Sequence, residues 1–248
     1  MTAQATPVRV IESLLTTAAG AALGWFVGGL LHPVVGTVMA VIAGLNGVIS
    51  GWRQIYAWRS VTGWIAFVLD STWATLSVGV GLLTHIAGRM KGALGYAPAL
   101  SRRENRHVYR NGFSLQAGFA LTVGNVISGA GDVDVARRCK LITDHEGVHV
   151  WQARWFGPLY LPLYGLWALF GTLGGVTVWL RGGRKVQLGK AIESCSYYLN
   201  PFEWWAYSRD DFWPPSGKLE GVGWSKACAR PLADVRAERA KKATTPSA

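Results

Sequence analysis

From Ser13 to Trp52 the chain carries no Asp, Glu, Lys or Arg. That run is about twice the ~20 apolar residues a helix needs to cross a bilayer. His32-Pro33 breaks it near the middle, so the pattern predicts two helices, about 13–31 and 34–52, folded into a hairpin. The run is too long for the apolar segment of a cleaved leader. A second apolar stretch, 61–88, admits only Asp70 and His85 as titratable side chains. A third runs from Phe156 to Leu180 and stops at the basic, glycine-containing turn RGGRK, 181–185.

The pattern changes after a basic, polar loop at 89–106. Over about 107–128, short runs of aromatic and β-branched residues are broken by Asn111-Gly112 and Gly124-Asn125. Asn-Gly between such runs is a strong hairpin signal, and a small sheet or meander is expected there. A helix is expected over about 136–155, and another over 186–207, restarted at Asn200-Pro201. The segments group into glycine-rich membrane helices over 1–90, a second domain over 91–232 with the apolar helix 157–180 embedded in it, and a disordered charged tail over 233–248. The fold class is therefore a mainly α membrane protein with a small β region beside one polar helix.

Composition sharpens this picture. Half of the chain is hydrophobic and only 16% is charged, with 31 glycines and 13 tryptophans. That balance suits helices packed through small residues and anchored by interfacial aromatics, with the lipid bilayer as partner. The net charge of +11 comes from basic residues scattered at the ends of apolar runs. Such scatter fits anionic head groups and argues against nucleic acid, which needs a concentrated basic module. Cys139, Cys195 and Cys228 are too few and too far apart for a disulfide framework or a zinc knuckle. Gly20, Gly24 and Gly28 share one helix face, as do Ala43, Gly47 and Gly51. Such ridges let backbones approach closely, either within one chain or in a homo-oligomer; packing within the chain is the simpler use. Asp70, an acid in an apolar run, needs a partner, and Arg53 and Arg59 are the candidates.

One short stretch carries chemistry. Residues 144–152 read DHEGVHVWQ, an HExxH motif. On a helix, His145 and His149 point the same way and can offer ring nitrogens to one Zn²⁺. Glu146 then sits where a carboxylate can take a proton from a metal-bound water. A catalytic zinc wants a third protein ligand. Glu193 and Glu203 are the acids that follow within reach of the motif; Glu203, at the start of a fresh helix, is preferred. If 157–180 crossed the bilayer and the chain stayed there, Glu203 would be ~30 Å away. The basic turn at 181–185 instead lets the next helix return antiparallel, which brings residue 203 level with about 163. Gln152 is placed to bond a ligand histidine, and Tyr207 or His107 to stabilise an oxyanion.

The stretch HEGVHVWQARWFGPLYLPLYG, followed by NPFEWWAY, resembles the gluzincin zinc metallopeptidases, which pair HExxH with a later glutamate. It looks most like small membrane-embedded bacterial members with H-E-x-x-H-x-x-Q, G-P-L-Y and N-P-x-E-x-x-A. The resemblance covers roughly 107–215 and implies a minimal α+β gluzincin-like domain. It implies His145, His149 and Glu203 as zinc ligands, Glu146 as general base, a peptide or membrane-protein substrate, and residence in the bacterial cytoplasmic membrane. Gly147 inside the motif and Val148 before the second histidine depart from the commonest pattern. The reading is a membrane zinc peptidase. Its rivals are a non-catalytic glycine-zipper assembly protein with a degenerate zincin-like domain, and a zinc hydrolase of lipid amides or esters.

Overall fold

The computed structural model describes residues 6–90, 95–114 and 118–244. The chain is mainly helical, with one small mixed sheet, and divides into two compact units, 1–160 and 161–248. Among the described residues three helical stretches are long and apolar enough to cross a membrane: Thr6–Gly29, Pro33–Arg53 and one within Ala136–Arg181.

In the first unit, α1 (Thr6–Gly29) and α2 (Pro33–Arg53) form the expected hairpin. His32 caps α2 by accepting the Val34 N–H on Nδ1, and Pro33 opens the helix, where a missing N–H costs nothing. The glycine ridges are spent inside this hairpin. A Cβ on Gly24 would lie 2.8 Å from the Met39 carbonyl, and one on Gly47 would lie 2.5 Å from the Thr16 carbonyl. Bare backbone at these positions lets the helices touch, and the Thr16 hydroxyl donates to the Gly47 carbonyl across the seam at 2.7 Å.

The 61–88 run is not one helix. It splits into α3 (Val61–Ser71) and α4 (Thr75–Met90), bent by 87°. The Asp70 carboxylate lies just before the bend and pairs with Arg154, neither Arg53 nor Arg59: two bonds of 2.8 and 2.9 Å join them. Sequence spacing favours nearby arginines, but the partner comes from 84 residues away.

The sheet contains β1 (His107–Val108), β2 (Leu121–Val123) and β3 (Val126–Ser128), in the order β1-β3-β2. β2 and β3 form an antiparallel hairpin turned by Gly124-Asn125, with Gly124 at φ +57°. The other expected hairpin turn, Asn111-Gly112, joins no pair of strands among the described residues. β1 instead runs parallel to β3, with His107 opposite Val126. Next come α5 (Ala136–Lys140), a π-helical turn over Leu141–Glu146, and α6 (Gly147–Phe156). Val108 and Ile127 of the sheet pack with Ile142 and Val150 of this helical run in one buried core. The sheet is thus the floor on which the HExxH helix lies.

α7 (Tyr160–Arg181) carries the chain into the second unit. There α8 (Leu188–Glu193), a π turn at Ser194–Tyr198 and α9 (Pro201–Arg209) return along it. Gly175 packs on the Ile192 backbone and Gly171 on Cys195, where a Cβ would come within 2.5 Å. The return is antiparallel, as the basic turn predicts. α10 (Leu232–Thr244) is helical where the sequence reading expects a disordered tail; its run of alanine and long charged residues has high helix propensity.

Candidate metal centre

The π turn gives the motif its local geometry. The Gly147 N–H bonds to the Ile142 carbonyl, five residues back rather than four. Such wide turns recur where a helix must re-aim a side chain. Ile142 and Val150, both buried against the sheet, fix the face of the helix that looks away from it.

On that helix the two histidine Nε2 atoms stand 3.2 Å apart, with ring planes at 75°. Two nitrogens bound to one tetrahedral zinc at about 2.0–2.1 Å would lie about 3.3 Å apart, so the pair has the spacing of one edge of such a tetrahedron. His149 Nδ1 is 2.8 Å from the Gln152 amide oxygen and 3.3 Å from the Tyr160 hydroxyl. An amide oxygen can only accept. A ring proton on Nδ1, donated to that oxygen, would leave Nε2 its lone pair. Gln152 thus makes the bond to a motif histidine that its spacing suggested.

Glu146 is buried and points at the sheet. Its Oε2 accepts the Thr122 hydroxyl of β2 at 2.5 Å. A Thr-carboxylate bond of this kind fixes one oxygen and leaves the other to act.

Within the second unit, Asn200 caps α9 by accepting the Phe202 N–H at 3.0 Å, with Pro201 next. Glu203 therefore falls in the first turn, where the helix dipole favours a carboxylate. Glu203 is buried, and its Oε1 accepts from the Tyr164 hydroxyl at 2.8 Å. Burial first, then the nearby Glu203 carboxylate, push the Tyr197 phenol far above its ordinary range. Tyr197 therefore stays neutral near the acid. His145, His149 and Glu203 are all buried, and a group of these donor types can hold a metal ion.

The two oxyanion candidates sit in different surroundings. His107 is fully buried, with Nε2 3.0 Å from the Ser50 hydroxyl and its ring edge-to-face with His85. It belongs to a polar cluster under the sheet. Tyr207 packs among Tyr197, Tyr198 and Phe212 in the second unit. The tryptophans divide likewise: Trp151 stacks on Trp155 in the first unit, and Trp204 on Trp224 in the second.

Sequence reasoning passed over Thr122, Tyr160, Tyr164 and Arg154. Thr122 bonds Glu146 across 24 residues and left no local sign. Tyr160 and Tyr164 did leave one: they repeat at i and i+4 in GPLYLPLYG, on one helix face.

No family model matches this chain, and no curated protein or solved structure matches it.

Proposed function

We propose that this chain is a membrane-associated zinc metallopeptidase of gluzincin type, with His145, His149 and Glu203 as metal ligands and Glu146 as general base. The observation that carries the reading is the histidine pair: two Nε2 atoms 3.2 Å apart, with the Nδ1 of His149 tied down by Gln152. That bond selects the tautomer a metal ligand requires. Glu203 is supported by its own surroundings: it is buried, and its Oε1 accepts from the Tyr164 hydroxyl at 2.8 Å.

When bound, zinc would polarise the scissile carbonyl and acidify water toward neutral pH. The side chains supply the rest. Glu146 takes one proton from the attacking water while Thr122 holds its other oxygen. Hydroxide adds to the carbonyl carbon, and Glu146 delivers the proton to the amide nitrogen as the C–N bond breaks. Water is consumed and a carboxylate and an amine result. The β2 edge, beside Glu146, offers backbone to an extended peptide. The apolar helices support a reaction carried out at a bilayer, which we assign to the bacterial cytoplasmic membrane.

Glu146→Gln tests the reading. Purified in detergent and loaded with zinc, the parent should cleave peptides from a membrane-protein digest library, and the variant should bind zinc equally but lose at least ~100-fold in turnover. Equal turnover by both proteins would remove Glu146 from the chemistry.

A further inference from the structure

The α1–α2 hairpin has two chemically different ends. Its closed end, Leu30-Leu31-His32, lies inside the 13–52 stretch without Lys, Arg, Asp or Glu. Its open end carries Arg9, Arg53 and Arg59. The 102–106 loop docks there and adds Arg102, Arg103 and Arg106. The Arg103 N–H donates to the Gln54 carbonyl at 2.9 Å and the Asn105 N–H to the Ile55 carbonyl at 2.8 Å. The Arg103 guanidinium forks onto Glu12 of α1, and the Arg53 guanidinium lies 4.1 Å above the Tyr96 ring. Between the two ends the outward side chains are apolar: Leu14, Trp25, Val38 and Leu45 are all exposed. With 24 and 21 residues, the helices measure about 36 and 31 Å, against a hydrocarbon core of about 30 Å.

The α3–α4 pair starts from the open end and stops halfway. A Cβ on Gly20 would lie 3.3 Å from Ser71 Oγ, and one on Gly79 would lie 3.2 Å from Ile42. Gly20 and Ile42 are both near the middle of their helices. Between Ser71 and Gly79 the chain bends by 87°, and α4 then brings His85 against His107, whose Nε2 lies 3.0 Å from the Ser50 hydroxyl toward the open end of α2. At that turn Trp73 donates to the Trp155 carbonyl at 3.0 Å and packs on Gly157. The C-terminal end of α6 is therefore at half depth. Its N-terminal end is near the basic loop, because a Cβ on Gly147 would lie 3.0 Å from Arg106.

We infer that the open, arginine-rich end of the hairpin faces the cytoplasm and the closed end faces the opposite side. On this assignment α3–α4 is a re-entrant pair, and the HExxH motif opens on the cytoplasmic half of the bilayer. Lys and Arg in short flanking loops set orientation, and here every one of them in the hairpin's flanks lies at one end. Anionic lipid on the cytoplasmic leaflet holds the same arginines. Deep half-helices are tolerated where the turn is buried in protein, and Thr72, Ala74 and Thr75 at this turn are buried. Resting on the peptidase reading, this orientation selects peptide segments that reach the site from the cytoplasmic side.

The test is thiol labelling in intact cells. Cys139, Cys195 and Cys228 are replaced by Ser, and single cysteines are installed by Leu31→Cys at the closed end or Glu104→Cys in the basic loop. A membrane-impermeant maleimide should label the Leu31→Cys protein on intact cells, and the Glu104→Cys protein only after permeabilisation. The reverse pattern, or equal labelling of both, overturns the orientation. A protease-cleavable insert between Leu31 and His32 of the otherwise unaltered chain, cut from outside, reads the same side without depending on thiols; its protection in intact cells overturns the proposal too. Neither readout needs metal or turnover, so a wrong orientation and a wrong peptidase assignment give separate signals.

Discussion

The Arg154 guanidinium grips the Asp70 carboxylate through Nε and one terminal nitrogen, at 2.8 and 2.9 Å, with both side chains 1% exposed. The pair joins the HExxH helix to α3. It is not isolated: Tyr56 and Asn125 also donate to Asp70, at 3.1 and 3.2 Å, and both bond Asn46 on α2. A buried pair costs desolvation, and the surrounding donors offset it. Removing one partner leaves the other charge buried and uncompensated. Asp70→Asn should cost about 3–5 kcal/mol, read as a lower thermal midpoint in detergent. Asp70→Asn with Arg154→Met should recover part of the loss. A single variant as stable as the parent would show the pair to be dispensable.

The hairpin seam predicts a contrast between two glycines. Gly47 has the Thr16 backbone 2.5 Å from where its Cβ would go, whereas Gly29 has nothing within 4 Å. Gly47→Val should force α1 and α2 apart, with a loss of several kcal/mol from overpacking against unyielding backbone. Gly29→Ala should be close to neutral. Protease sensitivity in detergent distinguishes them, and equal sensitivity would contradict the seam.

His107 supplies the pH dependence. Burial first, then the charges of His85, Arg53 and Arg154, hold its pKa well below the ordinary range. The folded protein therefore keeps His107 neutral where the unfolded chain, with an ordinary value of about 6.5, takes up a proton. The resulting stability is complete above about pH 6.5 and is lost progressively as pH falls toward the lowered folded value. His107→Gln should flatten the acid side of the stability profile. An unchanged profile would assign the acid loss to other groups.

Thr122 should matter to rate and little to fold. It is half-buried on β2 and bonds the Glu146 carboxylate. Thr122→Val should lower kcat by about 10–100-fold, as loss of an outer-shell partner does at metal sites, with KM little changed. Thr122→Ser keeps the hydroxyl and should restore the rate. A Ser variant as slow as the Val variant would reduce Thr122 to a packing residue.

Local pattern and long-range pairing differed in how well they could be read. The α1–α2 hairpin was legible because forty residues without Asp, Glu, Lys or Arg and one His-Pro break leave little choice. The return of α8 and α9 along α7 was legible from RGGRK. Asp70 was recognised as needing a partner, but Arg154 follows the motif far along the chain, and apolar periodicity says nothing about which distant cation arrives. The Asn111-Gly112 hairpin failed because β1 found β3 in parallel, a pairing set by the packing of Val108 and Ile127 onto the motif helix. The bend after Ser71 left only a weak trace, since Trp73 and Thr75 read as apolar-run residues whichever way the backbone turns. The spacing of His145 and His149 was legible from helix periodicity alone, yet the π turn that frames them was not.

Metal content tests the central claim most directly. The detergent-purified parent, supplied with zinc and freed of excess, should carry about one zinc per chain by elemental analysis, as a site with three protein ligands does. His149→Ala and Glu203→Ala should each lose it, while Glu146→Gln retains it. No metal in the parent would contradict the account outright. Zinc lost with His149→Ala but kept with Glu203→Ala would overturn Glu203 as the third ligand.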